Sequence, residues 1–274
     1  MSRPRGGYIG FNRVPASSAI NSAATGVWTA REAESLKRAG TWPSALLLPS
    51  GALLAANFDS GFDDLAQGLT ASQTGSGPTR STAQYKGGTH SLLVSAGTAA
   101  NSSTTSRILY GDNADLNITG SNFTVEAWVF SVANGLYQGI VCRDNQSDRR
   151  NWQLLKMSGA EGNVAQFSVF NTASGFYLTV ADTQALPTNQ WVHIAAVRDG
   201  NVFRLYRDGV QRASANVSAA SGTRSTASGP LAVGAINENG NFAFRGYIDE
   251  VLVTNNCRYP SGTTFTPADA LLST

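Results

Sequence analysis

Ionic residues are scarce in this chain of 274 residues: Asp, Glu, Lys and Arg make up 14% of it, against about a quarter in an average soluble domain. Twenty basic residues face 18 acidic ones. The arginines are scattered, so neither net charge nor a basic stripe marks a nucleic-acid partner. Only two cysteines exist, Cys142 and Cys257, far apart and outside any C-x-x-C. That excludes zinc-ribbon and thioredoxin-type chemistry and reads as two free thiols, one of them buried in a strand. Only two histidines exist, His90 and His193. There is no H-E-x-x-H, no G-x-S-x-G and no P-loop. Nor is there a run of about 18 apolar residues, so no membrane-spanning helix is expected. Arg3 and Arg5 have no apolar stretch behind them, so no secretory signal is expected either.

Ser, Thr, Ala, Asn and Gly fill the space left by charge, and they are set out as strands and turns. The clearest stretch is WVHIAAVRDGNVFRLYRDGVQRA, Trp191 to Ala213. It predicts three antiparallel strands, 191–198, 202–207 and one beginning at 210, with turns at Asp199-Gly200-Asn201 and Asp208-Gly209. Asp-Gly supplies the positive φ that tight hairpin turns demand. Phe203 and Leu205 share one face of the second strand, and Arg204 and Tyr206 the other, predicting one packed and one wet face. The first strand is apolar on both faces, which predicts cover above and below. In FTVEAWVF, residues 123–130, Phe123, Val125, Ala127 and Val129 oppose Glu126, Trp128 and Phe130. Further strands are expected at 52–57, 92–95, 107–110, 138–143, 152–156, 165–170, 176–180, 231–235 and 244–253. Strands every 8–15 residues with turns between them predict an all-β sandwich or barrel, not βαβ units.

Residues 1–44 differ. Gly6 to Phe11 mix glycine with aromatics, and Pro15 to Thr25 are rich in Ser, Ala and Asn. Thr29 and Glu32 fit a capping box, predicting one short helix over about 30–39 that stops at Gly40. Its apolar face is thin, and so short a helix is marginal alone in water. One reading packs this arm on its own C-terminal domain. The other, favoured here, is a docking arm that orders against another protein, through Tyr8, Phe11, Val27, Trp28, Leu36 and Trp42.

FTVEAWVF, the Trp191–Ala213 stretch, GPLAVGAINENGNFAFRGYIDEVLV (229–253) and Lys86-Gly87-Gly88-Thr89-His90-Ser91-Leu92, in that order and spacing, resemble the concanavalin A-like, laminin-G-type jelly-roll family over about residues 52–267. The resemblance implies two stacked antiparallel sheets, with a glycan- or protein-binding role at the loop rim or concave face. The arm, GYIGFNRVPASSAINSAATGVWTAREAESLKRAGTWP, is similar to N-terminal segments of tailed-bacteriophage virion proteins, notably those of cyanophages. The expected fold is thus an antiparallel two-sheet jelly-roll sandwich at 45–274, preceded by an extended arm with one short helix.

The family resemblance also implies a structural Ca2+ between the loop of Asp59, Asp63 and Asp64 and Asp249 of the closing strand, since hard oxygen ligands suit that ion. The alternative is a solvated acidic loop with Asp249 bonded to backbone. For glycan binding the candidate platform is Tyr137, Trp152, Phe176, Tyr177 and Tyr206, because ring faces stack on sugar C–H surfaces; each of these equally suits a sandwich core. Trp128 and Trp191 are assigned to the core, and His193 to the core or the meander rather than to catalysis. Glucanases of this fold carry an E-x-D-x-E strand, but Glu126 stands alone in its strand. Asp249 and Glu250 are adjacent, so regular alternation sends them to opposite faces. No strand offers the carboxyl pair about 5 Å apart that a retaining glycosidase needs. The chain is therefore expected to be non-enzymatic: a phage virion protein, homo-oligomeric on the particle, anchored to other virion proteins by residues 1–44. Its jelly roll would decorate the particle or bind a host-surface glycan. The alternatives are a free carbohydrate-binding lectin and, third, a glycan-cleaving enzyme.

Overall fold

Alternation and Asp-Gly turns become strand and hairpin where the sequence places them. A computed structural model describes residues 31, 34, 48–74, 78–95, 106–144, 150–226, 228–236, 242–260 and 264–270. The chain divides into two units, Met1–Leu47 with Leu272–Thr274, and Leu48–Leu271. In the first, Arg31 and Glu34 are helical and exposed, at two positions of the expected helix. Tyr8, Phe11, Val27, Trp28, Leu36 and Trp42 lie outside the described residues.

The second unit is a double layer of antiparallel strands. One sheet holds β1 (Ala52–Ala56), β3 (Thr79–Ser81), β4 (Ser91–Ser95), β6 (Phe123–Ser131), β11 (Trp191–Asp199), β12 (Val202–Arg207), β13 (Val210–Asn216) and β15 (Gly246–Thr254). Its order is β13-β12-β11-β6-β15-β4-β3, with β1 also on β15. The other holds β2 (Ala71–Thr74), β5 (Arg107–Tyr110), β7 (Gln138–Asp144), β8 (Arg150–Lys156), β9 (Val164–Phe170), β10 (Phe176–Ala185) and β14 (Leu231–Val233), in the order β10-β9-β8-β7-β14-β5-β2. This is the jelly-roll sandwich expected. Sequence reasoning missed β2 and β3, which are three or four residues long and largely polar.

The core lies between the sheets. Phe123, Val125, Ala127 and Val129 of β6 turn inward together, as alternation requires. They meet Trp152 and Leu154 of β8 and Phe167 and Val169 of β9. The Phe123 and Phe167 rings lie 5.4 Å apart across the gap, and Trp152 stacks on Phe167 at 6.1 Å. Each such side chain removed from water stabilises the sandwich by roughly 1.5–3 kcal/mol.

The outward face of the first sheet is covered over β11 and β12. Ala195, Val197 and Tyr206 are covered by Cys257, Tyr259 and Phe265 of the C-terminal segment. That is the second cover the doubly apolar β11 demanded, and it corrects the expectation for Tyr206, which is fully buried. Trp128 is buried on this outer side, its indole N–H donating to the Ala268 carbonyl at 3.0 Å and Lys86 lying over its ring at 4.3 Å. Trp191 is only half-buried, edge-on to Phe130. Both cysteines are free, Cys142 buried in β7 and Cys257 half-buried.

Candidate functional site

The outward face of the second sheet carries a groove of about 850 Å3. It is built by period two. On β8, Trp152 and Leu154 enter the core, so Gln153 and Leu155 face out; on β9 and β10, Gln166 and Thr179 do the same beside core Phe167, Leu178 and Val180. Strand register aligns Gln153 with Ser168 and Ser168 with Thr179, giving a polar row across the floor. Gln166 donates to Ser168 Oγ at 2.8 Å.

Aromatic rings close both ends. Where β8 begins, Phe176 stands 56% exposed and packs on Phe170 at 5.2 Å. Arg150 lies over Phe170 at 3.8 Å and its Nε donates to Asp144 Oδ2 at 2.9 Å; Gln153 donates to the same oxygen. Where β8 ends, the Tyr137 ring meets Phe242 edge-on at 5.6 Å. The Tyr137 hydroxyl donates to Glu161, as does Ser158. The bond to Glu161 holds the Tyr137 phenol above its ordinary range. Phe242 is 43% exposed and sits at φ +56; its carbonyl accepts from Gly139 N–H at 2.9 Å. Six strand steps along β8 separate the ends by roughly 20 Å.

Of the five expected platform residues, the structure brings Tyr137 and Phe176 together in this groove. Trp152 is fully buried with its indole N–H on the Leu116 carbonyl at 3.0 Å, Tyr206 is under the C-terminal segment, and Tyr177 packs against the core beside a bulge. Trp152 and Tyr206 therefore have no ring face to offer, and half-buried Tyr177 lies outside the groove. Sequence reasoning missed Phe242, Arg150, Asp144 and Glu161. An aromatic inside the Asn/Gly-rich stretch after β14 was the available signal for Phe242.

The four aspartates expected at calcium do not surround one point. Asp64 is spent on its own loop: its oxygens accept the N–H groups of Ala55, Ala66, Gln67 and Leu69 at 2.9–3.1 Å. Asp59 accepts from Thr89 and His90, and Asp249 from Lys86, Gly87 and Glu250. Asp59 and Asp249 thus grip the same glycine loop, and no three His, Cys, Asp or Glu side chains among the described residues are grouped to hold a metal ion. Asp63 is exposed on its loop, so the four carboxylates are not gathered in this arrangement, and Asp249 is bonded to backbone as in the alternative reading. Glu250 corrects a second expectation. It sits at φ +52 in a bulge of β15, so alternation fails, and its Oε1 lies 2.6 Å from where a Gly87 side chain would begin. Both carboxyls therefore reach one loop. Burial, then the neighbouring Glu250, push the Asp249 carboxyl up to about 8 against the pull of its N–H donors.

Glu126 is also enclosed. Its carboxylate takes His193 Nε2 at 3.0 Å, Tyr259 Oη at 2.7 Å and Arg258 Nη1, and both Glu126 and His193 are buried.

Residues 77–261 match the family model Laminin_G_3, described as the concanavalin A-like lectin/glucanases superfamily. The chain belongs to this superfamily. Among solved structures it is similar to the binding domain of Paraclostridial Mosquitocidal Protein 1, with 15% identity and TM-score 0.53 over 76% of this chain and 49% of that one. The binding domain of botulinum neurotoxin DC in complex with SialylT gives 11% and 0.52 over 76% and 48%. A botulinum neurotoxin type C structure, whose cell entry depends on two ganglioside molecules, gives 13% and 0.53 over 75% and 48%. The chain spans about half the length of these relatives, and the likeness is one of fold. No curated protein sequence matches it.

Proposed function

We propose that this chain is a bacteriophage virion protein whose jelly roll binds a glycan in the groove on the outer face of the second sheet. The observation that carries the binding half is the groove itself: exposed Phe176 at one end, Tyr137 and Phe242 at the other, and an amide- and hydroxyl-lined floor between them. Concave sites with apolar walls and a few fixed polar groups are the usual form of ligand sites. Superfamily membership agrees with a lectin-like role.

Binding, not cleavage, is the reading. Asp144 and Glu161 lie at opposite ends of β8, beyond the separation either class of glycosidase uses. Glu126 is closed off by Arg258 and Tyr259.

The virion half rests on the resemblance of residues 1–44 to phage arm segments. In this reading the arm docks on other virion proteins, the copies form an oligomer on the particle, and the glycan belongs to the host surface. The test is complementation of a phage lacking this gene, with and without residues 1–44. Mass spectrometry should find the full chain in purified particles and the truncated chain only in the lysate. Truncated chain in the particles would overturn the docking role.

A further inference from the structure

We propose that the groove selects uncharged oligosaccharides and rejects acidic ones, an inference that rests on the glycan reading above. Among the described residues, formal charge in the groove comes from Asp144, Glu161 and Arg150. The cation among them is paired: Arg150 Nε donates to Asp144 at 2.9 Å and the guanidinium lies over Phe170 at 3.8 Å. A carboxylate, sulfate or phosphate on a ligand is held best by a guanidinium fork or ammonium turned toward it. Here it would meet the exposed carboxylate of Glu161, while Asp144 already takes up the charge of Arg150.

A neutral polyol meets a better match. The floor of Gln153, Gln166 and Thr179 offers groups that donate and accept, as sugar hydroxyls do. The end walls offer ring faces, 56% exposed at Phe176 and 43% at Phe242. The ends stand roughly 20 Å apart along β8, so one sugar ring cannot touch both. The ligand class is therefore a neutral oligosaccharide of several units lying along the strands.

The experiment titrates the full chain with neutral cello-, xylo- and galacto-oligosaccharides of three to six units, and with oligogalacturonates and sulfated galacto-oligosaccharides of equal length, by NMR or calorimetry at low salt. At least one neutral series should bind, tenfold or more tighter than the acidic series, and weaken in Phe176→Ala and Phe242→Ala. Glu161→Gln should narrow the gap between neutral and acidic ligands. Acidic oligomers binding as tightly or more tightly, through Phe176 and Phe242, would overturn the selectivity and leave the glycan reading standing. Absence of binding in every series, or binding untouched by both aromatic substitutions, would overturn the selectivity and the glycan reading together.

Discussion

Arg150 lies 3.8 Å above the Phe170 ring, and Phe176 packs on that same ring at 5.2 Å. The buried ring is a platform that fixes an exposed one. Phe176→Ala should therefore remove the stacking surface while leaving Phe170 and Arg150 in place. Affinity for a groove-bound glycan should fall about tenfold, the loss of roughly 1.4 kcal/mol typical of an aromatic anchor. Stability should change by only about 0.5 kcal/mol, as for other surface positions. Calorimetric titration beside a thermal melt measures both; a large fall in Tm would mean Phe176 is part of the sandwich and not of a site.

Trp152→Ala should do the opposite. Its ring stacks on Phe167 and its N–H is satisfied by Leu116 inside the core. Removing it leaves a cavity and an orphaned carbonyl, costing about 3–5 kcal/mol. Denaturant unfolding should show the loss as a lowered midpoint. A variant with near-wild-type stability would contradict the burial described here.

The contrast between these residues shows what a sequence can carry. The meander of β11 to β13 was legible because Asp-Gly turns and alternation are local. For β8 the same alternation separates Trp152 and Leu154 from Gln153 and Leu155, but both rows hold large side chains, so the pattern cannot tell the inner row from the outer. Tyr206 was misjudged because its cover comes from Tyr259 and Phe265, some fifty residues onward and without periodicity. The groove brings Asp144, Gln153, Thr179 and Phe242 together only through pairing of four strands and a distant loop. The Asp249–Glu250 pair was hidden by a bulge, a break in the rule used to read it.

That pair and Lys156 make a prediction about pH. Asp249 titrates at about 8 in the folded protein against 3.8 unfolded. Between those values the folded state holds the extra proton, so this group's stability, full below pH 4, is lost as pH rises through 8. Lys156 is held down to about 8 from 10.5, by burial and then by Arg245. The unfolded state holds its extra proton between 8 and 10.5, so stability rises with pH there. Each slope is at most about 1.4 kcal/mol per pH unit. Melts in EDTA should show a minimum of Tm near pH 8, its acid limb flattened by Asp249→Asn and its alkaline limb by Lys156→Met. Repeating them in millimolar calcium addresses the sequence-based expectation as well. Carboxylates engaged with backbone N–H groups should give coincident curves, whereas a rise in Tm that Asp249→Asn abolishes would mean the glycine loop rearranges around the ion.

The last prediction concerns the C-terminal segment as a strap. Glu126 holds it from below through Arg258 and Tyr259, and Tyr259 stacks flat on Phe265 at 3.7 Å. Desolvation first, then the Glu126 charge, keep the Tyr259 phenol protonated well beyond its ordinary range, so it stays a donor at any working pH. Glu126→Gln keeps an acceptor for Tyr259 but removes the charge facing Arg258 and His193. Because the Arg258 side chain is 23% exposed, water screens part of the loss, and the cost should be about 1.5 kcal/mol, the low end of the range for hydrogen bonds to charged groups. The strap should loosen before the sheets do: amide exchange over 257–260 and 264–268 should rise while β6 and β11 stay protected, since local opening follows the weakest contacts. Glycan binding in the groove, on the other sheet, should be unchanged. If Glu126→Gln abolishes binding while exchange over the strap stays as it was, Glu126 belongs to the ligand site and the separation of the two faces drawn here is wrong.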